Sequence, residues 1–202
     1  ANRMKEKATE AYKKILEIEP DNPHALLALA DLGMKEGNEL QSLENIKKIF
    51  ENTKTDIDTK IKILFPYVQF WEQFKEKKQD AFELAEILTR VHPGEAKAFA
   101  IQGDLYFLDE QNDKALESYL KALELNKDVL QVWQQVLVIY NSKKDWDNLE
   151  KTATEAVELF PNHAVLYLFK GGAEQQKKDY EKALKSFSRG EKMSADNDKL
   201  RS

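Results

Sequence analysis

A recurring interval of 34 residues constrains this chain more than any other feature of the sequence. Pro93 and Pro161 each follow a helical stretch and lie 68 residues apart, which is twice 34. Pro20 ends a similar stretch 73 residues before Pro93, which is twice 34 plus five. A fixed period of this size predicts stacked helical repeats, because one helix pair cannot bury its apolar face without the next pair.

Residues of similar size recur at this period in both helices of the last three repeats. The first-helix positions are Phe99, Gly103 and Tyr106, then Trp133, Leu137 and Tyr140, then Tyr167, Gly171 and Glu174. The second-helix positions are Ala115, Tyr119 and Ala122, then Leu149, Ala153 and Ala156, then Ala183, Phe187 and Gly190. Residues three and four apart share a helix face, so each set predicts a packing stripe.

This pattern resembles the tetratricopeptide repeat family, whose helix–turn–helix unit is about 34 residues long. Glu174 and Leu149 depart from the family pattern, which has an aromatic residue and an alanine at these positions. The resemblance implies an all-α fold, a right-handed α-α superhelix (a tetratricopeptide solenoid) of about 11 antiparallel helices.

The period also predicts how the chain is divided. We expect one solenoid domain over residues 1–202, with a partial repeat at 1–21 and repeats at 22–56, 57–95 with an insertion, 96–129, 130–163 and 164–197. The first residues match a second helix without its first, so the chain is expected to begin partway through a repeat. The last helix keeps an apolar stripe with no capping helix after it, so we expect the native protein to continue beyond residue 202.

Several helix ends carry local signals. Gly37 is predicted to follow the end of a first helix, where glycine is favoured. Asn38, Asp145 and Asp179 are predicted to lie at the starts of second helices, where their side chains cap free N–H groups.

The first helix of the third repeat has an ambiguous register. Pro66 lies within it, which predicts either a bend or a helix that starts near the proline. One alignment packs Phe65, Val68, Gln69 and Glu72 inward, and the other packs Tyr67, Phe70, Trp71 and Phe74. The second alignment is favoured because its stripe is more apolar.

Composition argues against several classes of function. The formal net charge is −5 and no basic face is evident, so nucleic acid is not an expected partner. The chain has no cysteine, which excludes disulfides, thiol nucleophiles and cysteine zinc sites. No apolar run approaches the length of a transmembrane helix, so membrane insertion of this segment is not expected. Nothing in the sequence indicates the compartment.

No residue pattern predicts catalysis, metal binding or cofactor binding. His24, His92 and His163 each fall at a turn between repeats, and we expect them to be exposed to solvent. No glycine-rich phosphate loop is present, and the abundant acidic residues lie on periodic helix surfaces. The chain is therefore predicted not to be an enzyme.

The family resemblance implies a binding surface. In tetratricopeptide proteins the first helices line a concave face that commonly holds a peptide or a partner's helix. By period, the partner-binding residues expected here are Asp104, Phe107, Leu108, Gln134, Val138, Asn141, Leu168 and Gln175. Their amides suit hydrogen bonds to a peptide backbone, and their apolar side chains suit anchor pockets. The alternative is that Phe107 and Leu108 pack within the solenoid and the amides are only solvated.

One subfamily grips a C-terminal carboxylate with lysine and asparagine on this face. The matching positions here hold Ala100, Gln134, Asp104 and Val138, so that clamp is not expected. The predicted function is a non-catalytic protein-interaction scaffold that binds a protein or peptide. The alternative is an assembly segment of a longer repeat protein that stacks end to end, or self-associates through its uncapped ends.

Overall fold

A computed structural model describes the backbone of residues 2–199 and the side chains of residues 4–194. Helices and the turns between them make up this described part, and no strand occurs in it. The chain forms two compact units, Ala1–Gln111 and Asn112–Ser202. The expectation of one continuous solenoid domain stays a prediction.

The first unit contains α1 to α7, of which α5 is a single turn. Their bounds are α1 Asn2–Ile18, α2 Pro23–Lys35, α3 Glu39–Glu51, α4 Ile57–Gln69, α5 Trp71–Phe74, α6 Lys78–Val91 and α7 Ala96–Leu108. The helix pair α2 and α3 packs together, as does the pair α4 and α6. The second helices α3 and α6 contact each other, and so do the first helices α4 and α7. Each apolar stripe is therefore covered by the neighbouring repeat.

Aromatic side chains fill the core of the first unit. The ring centroids of Trp71 and Phe82 lie 6.2 Å apart, and those of Phe82 and Tyr106 lie 5.1 Å apart. Tyr67 contacts Phe74 with a centroid separation of 5.0 Å. These large rings join α4, α5, α6 and α7 because each ring buries much apolar surface.

The packing register of α4 differs from both alternatives. Its buried residues are Lys60, Leu64 and Tyr67, and the first two lie 34 residues after Leu26 and Ala30 of α2. The alignment through Phe65 is wrong, because that side chain is 51% exposed.

The favoured alignment is right only in part. Tyr67 and Trp71 are buried, but Phe70 is 44% exposed. The buried stripe of α4 starts at Lys60, which neither alignment included.

The five extra residues of the third repeat lie in the turn between its two helices. The helix α4 begins after the N-cap Asp56 and continues through Pro66 for one more turn, to Gln69. The short helix α5 and a 3₁₀ turn at Lys75–Lys77 then lead into α6. Pro66 has no N–H to donate to the carbonyl of Lys62, so α4 lacks one internal hydrogen bond there.

The second unit contains α8 to α12. Their bounds are α8 Asn112–Leu125, α9 Leu130–Ser142, α10 Trp146–Leu159, α11 Ala164–Gln176 and α12 Tyr180–Lys199. Each helix packs on the next, and the first helices α9 and α11 also contact each other.

The predicted packing stripes of the second unit are confirmed. Their buried members are Ala115, Tyr119, Ala122, Trp133, Leu137, Tyr140, Leu149, Ala153, Ala156, Gly171, Glu174, Ala183 and Gly190. Gly171 is needed for close packing, because a Cβ there would lie 2.7 Å from a ring carbon of Phe187.

The turns inside four repeats share one backbone conformation. Gly37, Glu110, Lys144 and Lys178 all have positive φ, at 77°, 60°, 56° and 66°. In each turn the next residue donates its N–H to a carbonyl five residues earlier, as Asp179 does to the carbonyl of Glu174 at 2.9 Å. This is the Schellman arrangement, in which glycine is the usual residue. The prediction for Gly37 is confirmed.

The predicted N-caps are also confirmed. The side chains of Asn38, Asp145 and Asp179 accept hydrogen bonds from backbone N–H groups three residues later, at 3.4, 3.3 and 3.4 Å. Such bonds satisfy donors that the first helical turn leaves free.

Ion pairs recur at equivalent positions of neighbouring repeats. In the second unit Lys143 pairs with Asp113, and 34 residues later Lys177 pairs with Asp147, whose Oδ1 is 2.6 Å from Nζ. In the first unit the corresponding turn carries Asp109, whose Oδ1 is 3.0 Å from Nζ of Lys78. The order of charges in this pair is the reverse of that in the second unit, whereas Glu39 and Lys77 of the first unit, 2.9 Å apart, have the same order as the second unit.

Candidate functional site

The candidate site is a surface of the first helices, which we call the first-helix face. In each first helix it comprises the positions one, five, eight and nine residues after the packing residue. That packing residue is Leu26 in α2, Lys60 in α4, Phe99 in α7, Trp133 in α9 and Tyr167 in α11. All eight predicted partner-binding residues belong to it by this definition.

Five of these residues lie on two helices of the second unit that contact each other. The helix α9 carries Gln134, Val138 and Asn141, and α11 carries Leu168 and Gln175. Leu168 is 54% exposed and Val138 is 37% exposed. Asn141 and Gln175 are exposed, while Gln134 is half-buried. Within this unit the face offers exposed apolar side chains beside amides.

The other three predicted residues lie on α7 in the first unit. Asp104, Phe107 and Leu108 are each half-buried. Leu108 packs against the core of this unit, so the structural alternative holds for that residue.

The first-helix face of the first unit includes residues that sequence reasoning missed. Phe65 of α4, at 51% exposure, is equivalent to Asp104 when counted across the five-residue insertion. Met34 of α2 is equivalent to Phe107 and is 38% exposed. The signal that would have found Phe65 was the 34-residue interval from Leu26 to Lys60.

A salt bridge confirms that equivalent positions of α4 and α7 are neighbours. Lys97 Nζ lies 2.6 Å from Asp58 Oδ1, and each residue stands two positions before the packing residue of its helix. The hydrogen bond to Asp58 raises the pKa of Lys97. Its charge is therefore retained at neutral pH.

The three histidines do not behave alike. His24 and His163 are exposed, as expected. His92 is half-buried, and its Nε2 lies 2.8 Å from Nζ of Lys60, so the expectation of exposure is wrong for this residue. Desolvation, followed by the nearby Lys60 ammonium, lowers the pKa of His92. A neutral imidazole can accept a hydrogen bond from the ammonium group.

In the described part of the chain, no three histidine or acidic side chains are grouped closely enough to hold a metal ion. Among the same residues, no helix combines the length and the apolar character needed to cross a bilayer.

Comparison with known proteins connects this geometry to a family. Residues 96–129 match the family model of the tetratricopeptide repeat. The chain is 25% identical over 103 residues to the E3 ubiquitin-protein ligase CHIP of Arabidopsis thaliana, covering 51% of this chain and 37% of that protein. It is 27% identical over 109 residues to human N-alpha-acetyltransferase 16, NatA auxiliary subunit, covering 54% and 13%. The chain therefore spans well under half of these relatives.

Solved structures share this helical-repeat fold over most of the chain. A structure of MamA matches with a TM-score of 0.65 at 18% identity, over 88% of this chain and 94% of that chain. YrrB, a tetratricopeptide protein described as having an unusual peptide-binding site, matches with a TM-score of 0.63 at 21% identity, over 93% and 94%. These likenesses confirm the predicted fold class, an all-α tetratricopeptide solenoid.

Proposed function

The chain is a tetratricopeptide repeat protein, and on that premise we propose that it is a protein-interaction scaffold that holds a partner's peptide segment on its first-helix face. One observation carries this proposal. In the second unit, Leu168 and Val138 are exposed on helices that contact each other, with Asn141 and Gln175 exposed on the same two helices.

The physical argument rests on what such a surface recognises. Exposed aliphatic side chains gain free energy when a partner's side chain covers them, at about 25 cal/mol for each Å² of apolar surface buried. The amides of Asn141 and Gln175 each offer donors and an acceptor, which match the N–H and C=O groups of an extended peptide. No catalytic step is proposed for these residues.

The first unit extends the proposal with apolar positions of its own. Phe65 and Met34 are exposed on its first-helix face, and Phe107 and Asp104 are half-buried there. We include these four residues as partner contacts. Leu108 contributes less, because it packs against the core.

The similar proteins support this reading without identifying the partner. YrrB is described as having a peptide-binding site, and human N-alpha-acetyltransferase 16 is described as an auxiliary subunit, which places it in an assembly.

The experiment is a selection of random linear peptides on the immobilised full chain. Affinities of the selected peptides are then measured by fluorescence anisotropy for wild type, for Val138→Asp with Leu168→Asp, and for the matched control Leu159→Asp. Leu159 is 43% exposed on the second helix α10, outside the face. We expect the double variant to lose binding by about tenfold or more and the control to bind as wild type does. Equal binding by all three proteins would contradict the proposal.

A second candidate function is assembly through α12. Tyr180 and Leu184 of this helix are 65% and 68% exposed. Light scattering across a concentration range tests this function. We expect the mass of wild type to rise with concentration and the mass of Tyr180→Glu with Leu184→Glu to stay at the monomer value. A strict monomer at every concentration would contradict self-association.

A further inference from the structure

A buried ammonium group and an imidazole meet where the third repeat joins the second. Lys60 Nζ donates hydrogen bonds to the carbonyls of Phe50 and Asn52, at 2.9 and 2.8 Å. The carbonyl of Phe50 lies in the last turn of α3, where carbonyls have no partner inside the helix. The third contact of the ammonium group is Nε2 of His92, 2.8 Å away at the end of α6. We call Lys60 and His92, with the two carbonyls, the clasp.

The clasp requires a neutral imidazole. An ammonium group has three N–H donors and no acceptor, so Nε2 of His92 must present its lone pair to Lys60. Protonation of His92 would place a second cation, with an N–H on Nε2, against the first. Lys60 is fully buried and its other two donors are already bonded. His92 is half-buried and is followed by the exposed Pro93 and Gly94, so the protonated imidazole is the group that leaves.

Loss of a proton from Lys60 has a different effect. A neutral amine keeps two N–H donors for the two carbonyls and gains a lone pair. His92 can then carry its proton on Nε2 and donate to that lone pair, because neutral imidazole has two tautomers. Acid therefore separates the two side chains, whereas alkali changes only the direction of one hydrogen bond.

Three carboxylates face the clasp from neighbouring segments. Glu95, which precedes α7, and Asp56, the N-cap of α4, favour a charged imidazole, and Glu51 of α3 favours the charged ammonium group. All three residues are exposed, and Arg90 pairs with Glu51 at 2.6 Å. Solvent screens exposed charges, so desolvation, followed by the ammonium charge, prevails and lowers the pKa of His92.

The next two repeats hold groups that do not titrate near neutral pH at the same two positions. The fourth repeat has Phe99 with Asn126, and the fifth has Trp133 with Phe160. Packing of a repeat therefore does not require an ionisable pair at these positions. What the pair adds to the third repeat is a dependence on pH.

We propose that the clasp is an acid-sensitive device that holds the end of α3 against the start of α4 near neutral pH and releases it in acid. Protonation moves His92 toward solvent and leaves the ammonium group of Lys60 without its third acceptor, so water enters the junction. The contribution of His92 to closure is present above the ordinary histidine pKa of 6.5 and is lost as the pH falls toward the lowered pKa of the folded chain. This device does not depend on the function proposed for the first-helix face.

Hydrogen exchange of the full chain, read by mass spectrometry at pH 7 and pH 5, tests the clasp. After correction for the intrinsic exchange rate, we expect the protection of residues 48–62 in wild type to fall about tenfold at pH 5, because the open junction binds a proton that the closed one excludes. His92→Gln should keep its protection at both pH values, since an amide oxygen accepts a hydrogen bond without titrating. His163→Gln, at an exposed turn of the second unit, is the matched control and should open as wild type does.

Three outcomes of this experiment would overturn the proposal. The first is a protection of residues 48–62 that does not change with pH in wild type. The second is an equal fall in His92→Gln. The third is an equal fall in α10 of the second unit, which would indicate general unfolding in acid.

A titration of the histidine rings by NMR tests the clasp in wild type, without any variant. The Cε1 proton of His92 should titrate at a lower pH than those of the exposed His24 and His163. The backbone amide signal of Lys60 should shift with the same midpoint as His92. A midpoint for His92 equal to those of the exposed histidines, or a Lys60 signal that does not follow it, would overturn the proposal.

Discussion

Lys60 Nζ lies 2.8 Å from Nε2 of His92 and also donates to the carbonyls of Phe50 and Asn52, at 2.9 and 2.8 Å. These contacts join α4 to the ends of α3 and α6. Lys60 is fully buried at the position that Leu26 occupies in the preceding repeat. Burial lowers the pKa of Lys60 from 10.5 to about 8.

Lys60 should therefore make the stability of the fold depend on alkaline pH. Between the folded pKa near 8 and the unfolded value of 10.5, the unfolded chain binds more protons, so the contribution of Lys60 to stability rises with pH. Relative to Lys60→Met, wild type should gain on the order of 2 kcal/mol of unfolding free energy between pH 7 and pH 10.

Urea unfolding of both proteins at the two pH values measures this gain. Lys62→Met is the matched control, because Lys62 is exposed on the same helix. It should follow wild type at both pH values. A difference between wild type and Lys60→Met that does not change with pH would contradict the assignment of the buried ammonium.

Lys178→Gly should stabilise the protein. Lys178 has φ of 66°, a conformation that costs a residue with a Cβ about 1–2 kcal/mol and costs glycine much less. Glycine also loses more conformational entropy on folding, which offsets part of this advantage. The expected net increase in unfolding free energy is about 0.5–1 kcal/mol, measured by urea unfolding. Gln176→Gly, at the last helical residue of α11, is the control and should destabilise by a similar amount. If Lys178→Gly were destabilised, the side chain of Lys178 would contribute more to stability than its strained backbone costs.

Ser186→Ala should destabilise the second unit. Ser186 donates its hydroxyl to Oε2 of Glu174 at 2.7 Å, and both side chains are buried, at 7% and 1% exposure. Removing the hydroxyl leaves a buried carboxylate oxygen without this donor, which costs about 1–3 kcal/mol. Ser188→Ala, exposed on the same helix, should change the unfolding free energy little. Equal effects of the two substitutions would refute a role for the buried pair.

Ala122→Leu should overpack a helix contact. Ala122 is 1% exposed at a repeat position where Ala156 and Gly190 also stand. The added carbons should lower the unfolding free energy by about 1–3 kcal/mol. Lys121→Leu, at the exposed neighbouring position, is the control for added apolar volume. An unchanged melting temperature for Ala122→Leu would count against this packing contact.

The packing stripes were predictable because local size patterns repeat at a fixed interval. Trp133, Leu137 and Tyr140 are all buried where the period places them, and the caps at Asp145 and Asp179 follow from residue type and position. These features depend on neighbours in the sequence. Sequence reasoning is most reliable for such features.

Features that depend on distant contacts were missed. Lysine is usually found at the surface, so the burial of Lys60 was not predicted. Its ammonium group is satisfied by backbone carbonyls and His92, which are contacts that the sequence does not show. Because Lys60 was not recognised as a packing residue, the register of α4 was assigned incorrectly. The exposure of Phe65 on the first-helix face was therefore missed. The positive φ of Lys144 and Lys178 was also missed, because lysine rarely adopts this conformation, although the repeat interval counted from Gly37 leads to both residues.

The exposure of the residues on the predicted face could not be derived from the period. The period placed Leu168 and Leu108 on the same face, yet Leu168 is 54% exposed and Leu108 packs against a core. Leu168 and Leu108 occupy different positions of the face, one and nine residues after the packing residue, and each side chain meets different neighbours. The period assigns residues to a face, and packing decides how far each of them is exposed.

The ion pair with the reverse order of charges, Lys78 with Asp109, affects which neighbours a duplicated repeat would meet. Within the second unit, Lys143 with Asp113 and Lys177 with Asp147 have the same order of charges, so a copied repeat would meet a complementary neighbour. Asp109 and Lys78 have the opposite order. If the repeat that begins its second helix with Lys78 were copied into the second unit, Lys78 would face Lys143 or Lys177 instead of an aspartate. Exposed ion pairs contribute about 0–1 kcal/mol each, so the charges favour some orders of copied repeats over others only slightly.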